Sequence, residues 1–225
     1  VSTELGLKGI PNISESINLY RDIEILQYSG GKIHIPYVTT SKGVDLIREA
    51  KKNYLDITAS VSLAHITFSE KDIPEFDTNY KLIPPLRSES DLNSLKEGLV
   101  DGTLDYLTSM HEPFDIDNKK IVFDNASSGS IGLESMFGLM SNQFTLEKTI
   151  DILTRKKIIF EVDDHPIEIG SFADLSLFNP DKNYNFSENH ILSTSKNCAF
   201  IDSKHKGIVY GSINGKNFTL NKLWT

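Results

Sequence analysis

The stretch KIHIPYVTTSKGVDLIREAKKNYLDITASVSL, from Lys32 to Leu63, decides the fold. Lys32 to Val38 alternates apolar and polar residues and is rich in β-branched side chains, which predicts a strand. Ser41 is a good N-cap for a helix that runs through Lys52, with apolar residues at helical spacing. Ile57 to Leu63 is again apolar and β-branched. Strand, helix and strand in this order predict a parallel β/α unit.

The rest of the chain continues this alternation up to about residue 158, after which only short strands are predicted. Further elements of the β/α region are predicted as helices at 14–26, from Ser90, at 131–142 and at 146–153, and as strands at 80–83 and 105–109. Short strands separated by Gly, Pro, Asn and Asp are then predicted at 158–162, 167–169, 174–178, 207–213 and 216–220. Asn214-Gly215 predicts a tight hairpin. We therefore predict an α/β protein, with a β/α region at 1–158 and a small all-β region at 159–225.

The composition limits the classes of partner. A formal charge of −8 over 225 residues leaves no basic surface for nucleic acid or an anionic membrane. The pairs Lys119-Lys120 and Lys156-Lys157 are predicted to be solvated. The single cysteine, Cys198, excludes an internal disulfide and is predicted to be a small buried residue. No stretch resembles a signal peptide or a membrane span, and we expect a cytoplasmic protein.

Several segments resemble dihydroorotases, the amidohydrolases that interconvert carbamoyl-aspartate and dihydroorotate. LGLKGIP at 5–11 is similar to the family's LGLPGIP, HIPYVTT at 34–40 to HICHVST, and SVSLAHI at 60–66 to EVTPHHL. Further along, KLIPPLRS at 81–88 resembles KMNPPLRS, GLVDGTLD at 98–105 resembles GLLDGTID, and TSMHEPF at 108–114 falls where ATDHAPH belongs. GSIGLE at 129–134 and GSFADL at 170–175 continue the resemblance in the family's order and spacing.

This resemblance implies a (β/α)8 barrel with an appended β domain, of which the present chain would be the second half. Active sites of such barrels lie at the C-terminal ends of the strands. The family's His-x-His motif and bridging carbamylated lysine would belong to strands that precede Val1, so a processed or partial polypeptide is expected. The family uses zinc to activate a hydroxide and a carboxylate to move the proton.

The resemblance also places the family's functional positions on residues that lack the required chemistry. The metal-ligand positions fall on Tyr37, Ala64 and Met110, of which Met110 is also the base position. The substrate-contact positions fall on Ile83 and Phe114. Alanine donates no lone pair, a thioether cannot abstract a proton at neutral pH, and tyrosine is an uncommon zinc ligand. We therefore predict no catalytic residue, no bound zinc, and a degenerate pocket of Tyr37, Ile83, Met110 and Phe114.

Neighbouring residues leave alternatives open. His34, His65 and His111 are the candidates for a displaced metal site. A one-residue offset on a continuing strand would aim His65 and His111 away from the barrel mouth. Glu112 is the carboxylate next to the lost base and is predicted to be a solvated loop residue. Arg87 is a candidate for an anion site or for a structural ion pair.

Two functions of different classes follow. The first is a non-catalytic, dihydroorotase-like scaffold of pyrimidine biosynthesis, a pseudoenzyme that binds no nucleic acid and no membrane. Its expected partner is another protein chain: the missing N-terminal half, a second copy, or aspartate carbamoyltransferase, with which some inactive homologues of this family assemble. The second function is an active amidohydrolase that acts on a cyclic amide (dihydroorotate or carbamoyl-aspartate) through a reorganised site. A small-molecule binding module that uses the degenerate pocket lies between the two.

Overall fold

The computed structural model describes residues 6–155, 159–162 and 165–222. Contacts divide the chain into two compact units, Val1–Leu133 with Ser193–Ala199, and Glu134–Leu192 with Phe200–Thr225. The domain boundary predicted near residue 158 falls at residues 156–158, which lie outside the described part. The contacts place the division after Leu133, because the helices between residues 136 and 154 belong to the same unit as the antiparallel sheet.

The first unit contains a parallel sheet of three strands, β1 (Ile33–Ile35), β2 (Ile57–Ser62) and β3 (Tyr106–Thr108), in that order. Ile33 pairs with Ile57, and Ser60 of β2 pairs with Tyr106. The carboxyl ends of the three strands therefore meet at one edge of the sheet. The predicted α/β class is confirmed.

Helices connect the strands of this unit. Helix α1 (Asn12–Ser29) precedes β1, and α2 (Ser41–Lys52) joins β1 to β2. Helix α3 (Leu63–Thr67) follows β2 directly, α4 (Glu89–Asp101) precedes β3, and α5 (Ile116–Lys119) follows it. The order α1, β1, α2, β2, α4 and β3 was predicted, whereas the short helices α3 and α5 were not. None of the helices in the described part is long and apolar enough to cross a membrane.

Helix α2 ends at the predicted residue, Lys52, and begins one residue earlier than predicted. The N-cap is Thr40 rather than the predicted Ser41, because Thr40 Oγ1 accepts the N–H of Gly43 at 3.0 Å. Val44 and Ile47 lie on its buried side, at 1% and 0% exposure. Apolar spacing of this kind buries one face of a helix against a sheet.

The strand predicted at Tyr80–Ile83 is wrong. Thr78–Tyr80 instead form a single 3₁₀ turn, whose cap is Asp77: its Oδ1 accepts the N–H of Asn79 at 2.9 Å. Proline has no N–H to donate to a strand ladder, so Pro84 and Pro85 prevent a central strand from continuing here. As a result β2 pairs directly with β3, and the described part of this sheet has three strands rather than the four that were predicted.

The second unit contains an antiparallel sheet of β4 (Asp174–Asn185), β5 (Lys204–Asn214) and β6 (Asn217–Leu220). Its helices are α6 (Met136–Gln143), which begins five residues later than predicted, and α7 (Leu146–Thr154). Both helices precede the predicted all-β region at 159–225, in which a 3₁₀ turn (Glu188–His190) lies between β4 and β5.

The predicted strands of this region have mixed outcomes. The runs at 174–178, 207–213 and 216–220 lie in β4, β5 and β6, and the predicted hairpin is confirmed by the pairing of Asn214 with Asn217. Gly215, at φ +58°, takes the left-handed position that this turn requires. The strands predicted at 167–169 and 158–162 are wrong, since residues 167–170 form bends and turns and residues 159–161 are helical or turn. Residue 158 itself lies outside the described part.

Candidate functional site

The three family ligand positions follow the carboxyl ends of the three parallel strands. Tyr37 lies two residues after β1, Ala64 is the second residue of α3, directly after β2, and Met110 lies two residues after β3. Ala64 and Met110 are each 4% exposed, whereas Tyr37 is half-buried. Two of the three positions have therefore become part of the apolar core.

Two of these positions keep a backbone conformation that is costly for their residue type. Tyr37 has φ +55° and Met110 has φ +46°, both in the left-handed region. A residue with a side chain enters this region at a cost of order 1 kcal/mol, and such strain clusters at functional sites. Two of the three family ligand positions therefore lie at strained turns that follow strand ends.

His34, on β1, is held by hydrogen bonds from both ring nitrogens. Nδ1 lies 2.9 Å from Thr58 Oγ1, and Nε2 lies 3.2 Å from Ser60 Oγ and 3.0 Å from the hydroxyl of Tyr106. The imidazole also stacks on the ring of Tyr106, with centroids 5.2 Å apart. Burial lowers the pKa of His34, and the nearby carboxylate of Asp105 opposes this shift. Both nitrogens are thus occupied by neighbouring side chains.

His65 is fully engaged in the core. It lies in α3 rather than on a strand, because β2 ends at Ser62, whose hydroxyl caps the helix. The expectation that strand alternation would turn His65 away was therefore based on the wrong element. The ring lies 2.6 Å from Ser62 Oγ through Nδ1 and 3.0 Å from the carbonyl oxygen of Pro84 through Nε2. Burial lowers the pKa of His65 to about 4.

His111 forms an isolated parallel bridge with Ser130, and its Nδ1 accepts the N–H of Leu133 at 3.3 Å. Among the described residues, no group of three or more His, Cys, Asp or Glu side chains is close enough to hold a metal ion. The three histidines proposed as a displaced site are each committed to hydrogen bonds with the protein. The residues present do not fit a zinc site of the family's kind.

Glu112 and Lys119 differ from their predicted solvated states. Lys119 is 6% exposed, and its Nζ donates to the carbonyl oxygens of Ser127 at 2.8 Å and Gly129 at 2.9 Å. Burial lowers the pKa of Lys119 to about 8. Glu112 is half-buried, and a Cβ built on Gly129 would lie 2.6 Å from its Oε2. Burial raises the pKa of Glu112, and the ammonium of Lys119 opposes this shift.

Arg87 makes structural contacts. It is 7% exposed; its Nε donates to Thr39 Oγ1 at 3.1 Å and its Nη1 donates to the carbonyl oxygen of Ile10. Burial lowers the pKa of Arg87, and the carboxylates of Glu15, Asp91 and Glu70 oppose this shift in that order. Of the two predicted roles, these surroundings favour a structural cation over an anion site, because an incoming anion would meet three carboxylates.

The loop after β3 is fixed by residues that the sequence did not single out. Asn197 Nδ2 donates to the carbonyl oxygen of Glu112 at 2.9 Å, and its Oδ1 accepts the N–H of Phe114 at 3.0 Å. Lys81 Nζ donates to the carbonyl oxygens of Phe123 at 2.8 Å and Ala126 at 2.7 Å. Backbone contacts of this kind leave no periodic signal in a sequence.

The four residues of the predicted pocket do not share one cavity. Tyr37 and Ile83 both line a cleft of about 410 Å³ between α1 and β1. Met110 and Phe114 do not line that cleft; Met110 is buried, and the ring of Phe114 packs against Gly129. A second cavity of about 210 Å³ lies on the other side of the Ile83–Arg87 segment.

Two solved structures share the fold of this chain. The L-hydantoinase (dihydropyrimidinase) from Arthrobacter aurescens superposes with a TM-score of 0.82 over 94% of this chain and 50% of its own, at 19% identity. An inactive dihydroorotase-like domain of a CAD-like multifunctional protein from Chaetomium thermophilum superposes at 0.62 over 89% of this chain and 54% of its own, also at 19% identity. At this level of identity the two likenesses establish the fold.

Sequence comparison gives the particular family. No family model matches the chain. The dihydroorotase of Caldanaerobacter subterraneus subsp. tengcongensis is 36% identical over 218 residues, which cover 93% of this chain and 50% of the relative. A dihydroorotase of Listeria monocytogenes is 36% identical over 203 residues, which cover 87% of this chain and 48% of the relative. The chain belongs to the dihydroorotase family and spans about half the length of these relatives.

Proposed function

We propose that this chain is a non-catalytic dihydroorotase homologue, a cytoplasmic protein of pyrimidine biosynthesis in which the second half of a (β/α)8 barrel serves as a scaffold. The observation that carries the proposal is the state of the ligand positions. Ala64 and Met110 are each 4% exposed and pack in the core, and Tyr37 stands at the third position. An apolar core in place of ligands removes the charge that a divalent metal requires.

The family's chemistry depends on several groups at once. A metal-bound hydroxide needs ligands that hold the metal, and the proton transfer needs a base close to the reacting atom. The described histidines near these positions are occupied: His34 by Thr58, Ser60 and Tyr106, and His65 by Ser62 and Pro84. Metal ligands act as a unit, so the effects of losing them on activity are not additive. One remaining group is therefore not expected to retain part of the activity.

A scaffold of this kind needs a partner, and the open side of β1 supports one. β1 pairs only with β2 among the described strands, so one of its edges carries unpaired backbone groups. Helix α1, beside it, exposes Ile13 at 61%, Ile17 at 60% and Tyr20 at 57%, which share one helical face. We propose that another protein chain, the complementary N-terminal half of the barrel, covers this face through an interface of about 2,000 Å² or more. Aspartate carbamoyltransferase and a second copy of the chain are the other candidates.

A pair of chimaeras tests the loss of catalysis. The chain replaces its matched half in the Caldanaerobacter dihydroorotase, once unchanged and once with Tyr37→His, Ala64→His and Met110→Asp together. We expect no turnover of dihydroorotate by the unchanged chimaera, and a higher zinc content in the restored one.

Zinc content measured on the 225-residue protein itself covers the case in which a chimaera does not fold. One equivalent of zinc in the unchanged chain, or measurable turnover by the unchanged chimaera, would reject the proposal. Either result would favour the second candidate, an amidohydrolase with a reorganised site.

A further inference from the structure

An exposed apolar surface, here named the α5 patch, lies on and beside the short helix that follows β3. Its four side chains are between 46% and 72% exposed: Phe76, Ile116, Ile121 and Val122. Thr78 Oγ1 donates to the carbonyl oxygen of Lys119 at 2.7 Å, which joins the segment that carries Phe76 to the end of α5. Apolar side chains grouped at a surface mark sites of association.

Hydrogen bonds from inside the loop hold this surface in shape. The N–H of Ser127 donates to the carbonyl oxygen of Asn118 at 3.0 Å, which closes the segment after α5. The buried ammonium of Lys119 donates to the carbonyl oxygens of Ser127 and Gly129, and that of Lys81 donates to three further carbonyl oxygens of the loop. Because these contacts fix the backbone, the apolar side chains stay at the surface instead of folding inwards.

Phe76 is held in an exposed and unfavourable conformation. Its φ is +57°, in the left-handed region that residues with a side chain rarely enter. The ring is 49% exposed, so its burial offsets this strain only in part. Strained backbone of this kind clusters at functional sites. The conformation of Phe76 therefore supports a binding role for the α5 patch.

Carboxylates surround the α5 patch. Five acidic residues lie within two positions of its apolar side chains, and all but Asp77 are exposed: Glu75, Asp77, Asp115, Asp117 and Asp124. Within the described part of the chain, none of them forms an ion pair. The ammonium groups of Lys81 and Lys119 bind carbonyl oxygens, and Lys120 is exposed. The rim of the patch is therefore strongly negative.

This charge selects the class of partner. The carboxylates repel nucleic acid, anionic membranes and anionic dyes. A second copy that used the same patch would bring carboxylates opposite carboxylates, because a two-fold interface pairs each surface with itself. A segment with apolar side chains at its centre and Lys or Arg around them gains both apolar burial and charge pairing.

We infer that the α5 patch binds a basic amphipathic segment of another protein. Apolar side chains of that segment pack against Phe76 and Val122, and its cations face the carboxylates of the rim. This surface goes beyond the proposed function, since it uses neither the former ligand positions nor the exposed face of α1. It gives the chain a second attachment point, with a partner of opposite charge.

The probe is a fluorescently labelled helical peptide of leucine and lysine, LKKLLKLLKKLLKL, and LEELLELLEELLEL is its acidic comparator. Anisotropy titration of the 225-residue protein is expected to show saturable binding of the basic peptide and at least about tenfold weaker binding of the acidic one. Raising sodium chloride from about 0.05 M to about 0.5 M should weaken the basic peptide at least about threefold, because salt screens exposed charges.

Two variants test the apolar centre of the patch. Val122→Asn should weaken the basic peptide about tenfold, since Val122 is 72% exposed and its change leaves the core intact. Ile17→Asn is the matched control: Ile17 is 60% exposed on α1, and affinity should stay within about twofold. Phe76→Asn should weaken the peptide at least about threefold without lowering the melting temperature, because asparagine tolerates the left-handed region.

A charge-matched pair tests the rim. Asp115→Asn with Asp117→Asn should weaken the basic peptide at least about threefold at low salt. Glu49→Gln with Glu97→Gln removes the same charge from exposed positions on α2 and α4, and affinity should stay within about twofold.

The unchanged chimaera with the Caldanaerobacter enzyme tests whether the missing half covers the patch. It should bind the basic peptide within about threefold of the 225-residue protein. Loss of binding in a folded chimaera, equal weakening by the control variants, or no saturable binding of the basic peptide would overturn the inference. Zinc content reports on the proposed function separately, since the α5 patch contains none of the ligand positions.

Discussion

His65 Nε2 donates a hydrogen bond to the carbonyl oxygen of Pro84 at 3.0 Å. A carbonyl only accepts, so Nε2 carries the hydrogen, and Nδ1 accepts from the hydroxyl of Ser62 at 2.6 Å. The residue next to the lost ligand Ala64 thus ties the end of β2 to the proline segment. Through these two hydrogen bonds, neutral His65 acts as a structural link.

This arrangement predicts that the protein loses stability on mild acidification. Burial lowers the pKa of His65 and of His205, in the second unit, to about 4 each. The unfolded chain binds these protons near pH 6.5, so the stabilising contribution is present above pH 6.5 and is lost as pH falls towards 4. At pH 5 the expected loss is of the order of 2 kcal/mol per histidine.

Thermal unfolding followed by circular dichroism between pH 7 and pH 4.5 measures this loss. His205→Gln removes one of the two titrating groups, and the slope of stability against pH should decrease accordingly. A melting temperature that stays constant from pH 7 to pH 5 would contradict the neutral, buried state of both histidines.

Met110→Asp, which restores the family's residue, should destabilise the fold without restoring activity. Met110 is 4% exposed, so a carboxylate at this position would lose its hydration. We expect a loss of about 2–4 kcal/mol in the free energy of unfolding, measured with urea. Met110→Leu is the control and should cost less than about 1.5 kcal/mol. Dihydroorotate turnover by the Met110→Asp protein alone would show that the rest of the metal site is intact.

Lys119→Met should destabilise the loop after β3, and Lys120→Met should not. The ammonium of Lys119 satisfies the carbonyl oxygens of Ser127 and Gly129, which its loss would leave without that donor. The expected cost is about 1–3 kcal/mol, whereas Lys120 is exposed and should stay within about 0.5 kcal/mol. Equal stability of the two variants, measured by urea unfolding, would mean that the buried lysine contributes nothing.

Lys119 and Lys120 illustrate which features could not be predicted from the sequence. Periodic elements were predictable: α2 begins within one residue of its predicted start and ends at the predicted Lys52. Cys198 is buried at 3% exposure, as predicted. The sequence does not distinguish these two adjacent lysines. Lys119 differs in the carbonyl groups that surround its ammonium. The family positions of Tyr37 and Met110 were found from the sequence, but the placement of Met110 in the core depends on contacts between distant segments.

The open side of β1 leads to the last prediction, which concerns association. Ile33 N–H donates to the carbonyl oxygen of Asp56 at 3.0 Å, so alternation turns the backbone groups of His34 and Pro36 to the unpaired edge. Pro36, the residue before Tyr37, has no N–H. A partner strand at this edge can therefore accept a hydrogen bond from the N–H of His34 but none from Pro36. The apolar face of α1 must then supply most of the interface.

We expect the 225-residue protein to associate or to bind the dye ANS strongly, because Ile13, Ile17 and Tyr20 stay uncovered in a lone chain. Ile17→Asp should lower the mass in solution or the ANS signal. Ile116→Asp is the control, since Ile116 is 61% exposed and lies on α5 rather than α1. Light scattering after gel filtration gives the mass, and amide exchange at His34 reports on pairing of the edge. A monomeric protein that does not bind ANS and is unchanged by Ile17→Asp would mean that this face of α1 needs no partner.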